Sequence, residues 1–373
     1  MPSVSNAGGS LSSAIVLTLL AWGVRWVRGE MVRRKREDAA RQQERRTPGR
    51  FHASLSPSTL IMLVETGPYP HIVFDVRPFQ EDVSPLPTEL RGSLRLPSDL
   101  VGQALSNPSA WAELFQGVPF PETHYMLVFV GANSEQQLRA AAAAAGQGFL
   151  RTMTLAGSLV GFSRRAIQPH LHYINRDALA ALLYASSFTS TPTSTSFLPM
   201  LQSSSSEHDH DAAQVLAMVN HALQQQRLVV IDVRRSDERL LFGHIEGTVH
   251  VPVDRLPSAL HLSSGEFAAQ YGFPKPQPDD LVVMSCRTNT RAAWAAAVAQ
   301  DAGLQRCLVY KQGVYGWRLD PGVKVYRGYK LFDGPPEPEQ VGGEEVDVVA
   351  GAAELGSLGI LSTGTGSGMN GYM

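Results

Sequence analysis

Six consecutive residues carry the clearest chemistry in the chain: Cys286-Arg287-Thr288-Asn289-Thr290-Arg291. The cysteine ends an apolar run, Leu281–Met284 with Ser285, and an alanine-rich stretch follows the loop. One other cysteine, Cys307, exists in the chain. A loop that leads into a helix turns several backbone N–H groups toward one point, where the positive end of the helix dipole also falls. A thiolate there is stabilised. The sequence therefore predicts a Cys286 pKa below the ~8.5 of a free thiol, and a nucleophile for covalent catalysis. Arg287 and Arg291 add positive charge and suit an anionic substrate. A small buried hydrophobe is the plain alternative for a lone cysteine, and a thiol oxidised as a redox sensor is another. Cys307, inside the apolar stretch "QRCLVYK", reads as a core residue.

The elements that must position this loop occur twice. "HIVFDVRP" (His71–Pro78) parallels "LVVIDVRR" (Leu228–Arg235), and "RGSLRLP" (Arg91–Pro97) parallels "EGTVHVP" (Glu246–Pro252). "YMLVFVGANSEQQLRAAAAAAG" (Tyr125–Gly146) parallels "DLVVMSCRTNTRAAWAAAVAQDAG" (Asp280–Gly303), and "LAGSLVGF" (Leu155–Phe162) parallels "YKQGVYGW" (Tyr310–Trp317). Asp75 lies 56 residues before Gly131, and Asp232 lies 54 before Cys286. Matching order and spacing argue for duplication of one domain. Apolar strands alternate with helices, and strands as apolar as "LVVI" and "LVVM" need cover on both faces. The predicted class is α/β, two three-layer domains each with a mostly parallel sheet flanked by helices. Ligands of such sheets sit outside the carboxyl ends of the strands, where Cys286 falls.

On these residues the second unit resembles the rhodanese superfamily of sulfurtransferases. The resemblance rests on "VVIDVRRSDE", "GHIEGTVHVPVD", "VVMSCRTNTRAA" and "KQGVYGWRL", in that order, across most of residues 213–320. The first unit resembles a divergent copy. The resemblance implies that Cys286 takes sulfane sulfur from an anionic donor such as thiosulfate. A persulfide then passes it to cyanide or a thiol. Backbone N–H groups from Arg287 through Thr288, Asn289 and Thr290 to Arg291 would cradle it, with no cofactor and no metal. Asp232 is expected to be structural; Arg234 belongs either to the active-site rim or to an ion pair. Gly247, Gly313 and Trp317 fall at fold-keeping positions. Many loops of the family carry glycine where Asn289 stands, so some backbone strain is expected there. Phosphatases on this fold use Cys-x5-Arg; here Arg291 gives Cys-x4-Arg and position 292 is alanine, a shorter loop that suits sulfur. Gly131 replaces the cysteine in the first unit and Glu135 would repel an anion, so that unit is expected to be inactive and to pack on the second or hold a protein partner.

The rest of the chain sets limits. Of its residues 43% are hydrophobic and 18% charged, enough to build cores. Between Arg25 and Arg50 ten Lys/Arg face four Asp/Glu; with a net charge of −2 overall, the remainder carries about −8, which argues against nucleic acid. Two cysteines suit a reducing compartment. Residues 1–29 hold an apolar segment whose stretch 11–27 could contact or span a thin bilayer, or could be a transit peptide for a chloroplast or mitochondrion. Residues 30–51 read as a basic solvated stretch. The domains are then 52–184 and 213–333, joined by a Ser/Thr-rich linker, 185–212, and followed by a disordered Gly/Ser-rich tail, 334–373. "EHDHD" (Glu207–Asp211) reads as part of the polar linker rather than a metal site. A non-catalytic scaffold, possibly tethered to a membrane, is the rival to the enzyme.

Overall fold

The computed structural model describes residues 53–79, 85–159, 162, 169–187, 207–320, 322–330, 333–341 and 343–361. The apolar and basic N-terminal stretches and most of the Ser/Thr-rich stretch lie outside the described residues. Among the described residues no helix is long and apolar enough to cross a membrane.

Two five-stranded sheets form, both wholly parallel. The first holds β1 (Ala53–Leu55), β2 (His71–Asp75), β3 (Leu94–Arg95), β4 (Met126–Val130) and β5 (Thr152–Leu155), in the order β1-β5-β4-β2-β3. The second holds β6 (His172–Ile174), β7 (Leu228–Asp232), β8 (Thr248–His250), β9 (Leu281–Ser285) and β10 (Arg306–Tyr310), in the order β6-β10-β9-β7-β8. Strand for strand the orders are the same. The duplication and the α/β class read from the sequence therefore hold. The central strands β4 and β9 are buried along their whole length, as helices on both faces require.

The second sheet begins earlier than the sequence suggested. β6 pairs with β10, Leu308 opposite His172 and Tyr310 opposite Ile174, so part of 52–184 belongs to the second body. "HYINRDALAALLY" is a strand, a capping residue and a helix, repeating "ASLSPSTLIMLV" at the start of the first body. Helix α1 (Pro57–Thr66) is capped by Ser56, which accepts from the Thr59 N–H. Helix α2 (Ser134–Gly146) follows β4, and helix α3 (Arg176–Ser187) follows β6 with the Asn175 side-chain Oδ1 accepting from the Ala178 N–H at 2.9 Å. The Ser/Thr-rich stretch thus joins, in sequence, two elements of the second body, α3 and a helix α4 (Glu207–Gln224) that begins with "EHDHD". Polar composition alone had marked it as a linker between domains.

The tail is corrected too. Val348–Ser357 forms helix α8 (α5 to α7 are the helices of the site below), capped by Asp347, which accepts from the Ala350 N–H at 2.9 Å. Val348, Gly351 and Leu355, spaced three and four apart, face inward. Glycine at 351 permits a close helix crossing: a Cβ there would lie 2.4 Å from the Asp177 carbonyl oxygen. Arg176 is held by the Glu345 carbonyl at 3.0 Å and by the Glu344 carboxylate. α4 and α8 cover the outer side of α3, so Ala178–Leu182 are all buried. The Gly/Ser-rich composition hid this short apolar helix.

The two bodies share one core. Leu60 and Leu63 of α1 join Val282, Met284 and the Ala292–Ala296 segment in a continuous cluster. Gly351→Ala should press a methyl onto the α3 backbone and lower stability by about 1–3 kcal/mol, measured by urea unfolding of the whole chain; an unchanged midpoint would mean that α8 does not dock.

Candidate active site

Cys286 follows the carboxyl end of β9, whose last residue, Ser285, is in register with Asp232 at the end of β7. Helix α5 (Ser236–Phe242) follows β7, helix α6 (Thr290–Asp301) follows the loop, and helix α7 (Gly313–Gly316) follows β10. The loop is shaped from below. Val314 N–H donates to the Cys286 carbonyl and Tyr315 N–H to the Arg287 carbonyl, each at 2.8 Å. Gly313 makes the approach possible. Its φ is +58°, and a Cβ there would lie 2.1 Å from the Thr288 carbonyl oxygen and 2.6 Å from those of Arg287 and Cys286. With these carbonyls turned toward α7, the opposite side of the loop faces the thiol. The N–H groups of Thr288 and Ala292 both face Cys286 and favour its ionised form.

Asn289 is not strained. Its φ of −142° lies outside the left-handed region, so glycine has no advantage there. Its side chain does not cap α6. In the first body the matching Asn133 does cap α2, accepting from the Gln136 N–H at 2.9 Å. The uncapped start of α6 leaves its N–H groups for the sulfur. Thr290 is the exposed first residue of the helix.

The arginines correct the expectation of free anion-binding cations. Arg291 forms a fork with Glu238, at 2.5 Å to one oxygen and 2.9 Å to the other. Glu238 is 2% exposed, and its Oε1 also accepts from the Tyr326 hydroxyl at 2.8 Å. Burial alone would raise the Glu238 carboxyl, but Arg291 outweighs it and holds the group down at about 2. Arg287 donates to the Arg327 carbonyl. The thiol is corrected as well. Burial, with Cys286 1% exposed, pushes its pKa above the ordinary value, although the Arg291 charge and the two N–H groups pull the other way. Burial also drives Cys307 up to about 12, as a core residue's would be.

Arg234 is no rim residue. It is fully buried and forks onto Asp232, with Nη2 to Oδ2 at 2.7 Å and Nε to Oδ1 at 3.0 Å, and donates to the Gly243 carbonyl at 2.7 Å. Burial would raise the Asp232 carboxyl; Arg234 holds it below its ordinary value. Arg77 and Asp75 form the same fork in the first body, which has no cysteine. The pair therefore serves the fold. Glu238, Tyr326 and the Ala292 N–H went unread in the sequence. The spacing of Glu238 six residues after Asp232 in "DVRRSDE" was on view. Its partner Arg291 lies 53 residues further along, a distance over which no pattern pairs them.

In the first body the corresponding place is filled. A Cβ on Gly131 would meet Val76 at 3.0 Å and Gln136 Oε1 at 3.3 Å. Gln136 accepts from the Ala132 N–H, and Gln137 donates to the Gly157 carbonyl at 2.9 Å. Glu135 points outward, paired with Arg139. Body one instead supports α6: Trp294, fully buried, donates to the Thr59 carbonyl at 3.2 Å, and Ser56 N–H donates to Asp301 at 2.9 Å. Among the described residues no group of three or more His, Cys, Asp or Glu could hold a metal ion.

A parallel α/β sheet with a cysteine loop at the carboxyl end of its central strand defines an α/β protein with a thiol at the ligand-binding edge. The rhodanese-like domain family matches residues 212–320. A rhodanese domain-containing protein of Drosophila melanogaster is 31% identical over 94 residues, which is 25% of this chain and 85% of that protein. The thiosulfate:glutathione sulfurtransferase of Saccharomyces cerevisiae is 30% identical over 98 residues, 26% of this chain and 70% of that enzyme. The human single-domain sulfurtransferase structure matches at 29% identity, covering 26% of this chain and 88% of that one, with a TM-score of 0.25. The chain belongs to the rhodanese family. The family match begins at 212, after β6, which the structure adds to the same sheet, and α3, which packs in the same core.

Two outcomes are expected here. Gly313→Ala should destabilise the protein by about 1–3 kcal/mol, and amide exchange should speed up across Cys286–Ala292; unchanged protection would separate Gly313 from the loop. Alkylation of Cys286 should follow a pH midpoint above that of an ordinary thiol. Glu238→Gln leaves the Arg291 charge uncompensated and should bring that midpoint down; no movement would mean that Arg291 does not act on the thiol.

Proposed function

We propose that the chain is a sulfurtransferase whose second body carries sulfur as a Cys286 persulfide. The observation that carries this reading is the pair of N–H groups, from Thr288 and Ala292, that face the Cys286 sulfur in a loop whose Cys286, Arg287 and Thr288 carbonyls turn toward Gly313. Those donors stabilise an anionic sulfur in either form, thiolate or persulfide. The named activities of relatives, with thiosulfate as donor and glutathione as acceptor, suggest the substrate classes.

In the first half-reaction the Cys286 thiolate attacks the outer sulfur of thiosulfate. A Cys286–sulfur bond forms, the sulfur–sulfur bond of thiosulfate breaks, and sulfite leaves with the electron pair. In the second, a thiolate acceptor such as glutathione attacks the outer sulfur of Cys286–S–S⁻. The acceptor becomes a persulfide, and the Cys286 thiolate returns as leaving group. The raised thiol pKa means that the resting protein holds mostly thiol near neutrality; deprotonation precedes attack. Arg291 supplies positive charge as the thiolate forms, within its bond to Glu238. Arg287 lies next to the nucleophile and is the cation for an anionic donor. Asp232 and Arg234 tie the end of β7 to the Gly243 carbonyl that follows α5.

A second reading has its own observation. The thiol is enclosed, and the first body's equivalent place is filled by Gln136 and Gln137. A scaffold that binds a protein partner through the first body needs neither catalysis nor an open thiol.

The two part on one experiment. Incubation with thiosulfate should add a single sulfur to the intact mass and release sulfite, with the added sulfur on the Cys286 peptide. Cys286→Ser should take up none. Wild-type protein that gains no sulfur, or a serine variant that gains as much, would leave the scaffold reading standing.

A further inference from the structure

Two arginines follow β7, and they part company at its carboxyl end. Arg234 turns inward to the buried fork with Asp232. Arg235 stays partly exposed, and Glu238 fixes its place beside the site. Oε2 of Glu238 accepts from the Arg235 backbone N–H at 3.1 Å and from Arg291 Nη1 at 2.5 Å. The Arg235 side chain approaches the same oxygen, with Nε 3.9 Å away. Arg291 stands in the first turn of α6, and the next N–H, that of Ala292, faces the Cys286 sulfur. One carboxylate therefore separates Arg235 from the turn that faces the thiol. The contact runs through α5 and α6, the side of the loop away from α7.

The two arginines on Glu238 differ in how easily they can exchange partners. Arg291 cannot leave, because a carboxylate 2% exposed would stay buried and unpaired. Arg235 has Asp237 as its main partner, with Nε to Oδ1 at 3.1 Å and Nη2 to Oδ2 at 3.3 Å; the two side chains are 24% and 27% exposed. Ion pairs so open to water contribute little. Asp237, facing water and the Tyr329 hydroxyl, keeps partners when Arg235 turns away. The Arg235 guanidinium carbon also lies 5.2 Å from the centre of the Tyr329 ring, a contact that steadies the side chain without using its N–H groups. The first body supplies a control. It keeps the Asp75–Arg77 fork, but the next residue is Pro78, exposed and uncharged. The fold thus requires the first arginine of the pair and not the second.

We propose that Arg235 is a specificity-determining residue of this site, a cation that exchanges Asp237 for the charged end of the anionic molecule with which Cys286 reacts. Under the sulfurtransferase reading, on which the choice of molecule rests, that end is the sulfonate of thiosulfate. Sulfonate oxygens suit the guanidinium fork as those of a carboxylate or phosphate do. The sulfite that leaves keeps the same oxygens, so one contact serves donor and leaving group. Arg287 comes from the loop after β9 and Arg235 from the end of β7. Adjacent strands then supply two cations where the loop alone supplies one.

The test uses the full chain and two alkylating probes of similar size. Iodoacetate carries a charge and iodoacetamide does not, and peptide mass spectrometry gives the rate of each at Cys286. Their ratio cancels changes in thiol pKa or packing, which both probes feel alike. Arg235→Gln should lower the ratio of iodoacetate to iodoacetamide about fivefold, the effect of one partly screened charge, and added salt should shrink the difference. Arg235→Lys should keep most of the wild-type ratio. Asp237→Asn removes the competing carboxylate and should raise the ratio, which decides the matter should Arg235→Gln fail to fold. An unchanged ratio in either variant would overturn the proposal. Sulfur uptake from thiosulfate is followed on the same proteins, where Arg235→Gln should raise KM about fivefold with kcat held. A lowered ratio in a chain that takes up no sulfur keeps the anion contact and rejects the sulfurtransferase. Uptake with equal ratios and equal KM does the reverse.

Discussion

Three carbonyl oxygens packed against one α-carbon set the geometry of this site. Gly313 has no side chain to keep the carbonyls of Cys286, Arg287 and Thr288 away, and its positive φ starts α7 where Val314 and Tyr315 can bind two of them. A peptide unit has one donor and one acceptor on opposite sides. Fixing the acceptors below the loop therefore fixes the donors above it, at the sulfur. The order of strands makes this possible, because β10 lies beside β9 and delivers α7 under the loop that β9 begins. Helix α6 then needs no cap from Asn289, since the sulfur takes the place of the capping oxygen.

Electrostatics adds a second constraint, and it works against the first. A buried thiol resists ionisation. The nearby charge that could offset this, Arg291, is itself buried and must be paired. Glu238 does so and neutralises much of the field that Arg291 would otherwise place on Cys286. Tyr326 binds the same carboxylate. The protonation state of the thiol, the ion pair and the Tyr326 hydroxyl are therefore coupled through one glutamate. A loop that looks doubly cationic in sequence has one of its two charges, that of Arg291, compensated in the folded protein.

Much of the fold was legible because it rests on local patterns. Five-residue apolar strands, capping residues and alanine helices recur at the same spacing, so the repeat exposed both sheets and the place of Cys286. What escaped was set by composition or by distance along the chain. Serine and threonine after Ser186 suggested a boundary, yet β6 and α3 before it complete the second sheet. Glycine and serine in the tail concealed α8, although Gly351 is the residue that lets that helix dock on Asp177. Glu238 and Tyr326 lie 88 residues apart in sequence and meet only through tertiary packing. Arg291 kept its predicted position but not its predicted freedom, because a sequence shows a charge without showing its partner. The strain expected at Asn289 assumed a left-handed backbone, and the loop reaches its shape with φ negative there.

The first body separates what the fold demands from what the chemistry demands. It keeps the Asp–Arg fork at Asp75 and Arg77, the asparagine before its helix, and the contact from the following turn, with Leu159 N–H donating to the Gly131 carbonyl at 3.0 Å. It lacks the thiol, the arginines and one residue of the loop, since Asn133 follows Gly131 by two positions where Asn289 follows Cys286 by three. That missing residue is the reason the two loops differ in more than their side chains. The shorter turn lets Asn133 cap its own helix and draws Gln136 and Gln137 into the space a nucleophile would use. What the first body gives in return is mechanical. Its α1 covers the side of α6 that faces away from the second sheet, and Trp294 locks the two together. A helix packed on both sides can be built from alanine, and such a helix holds the start of α6, and with it the sulfur, in one place.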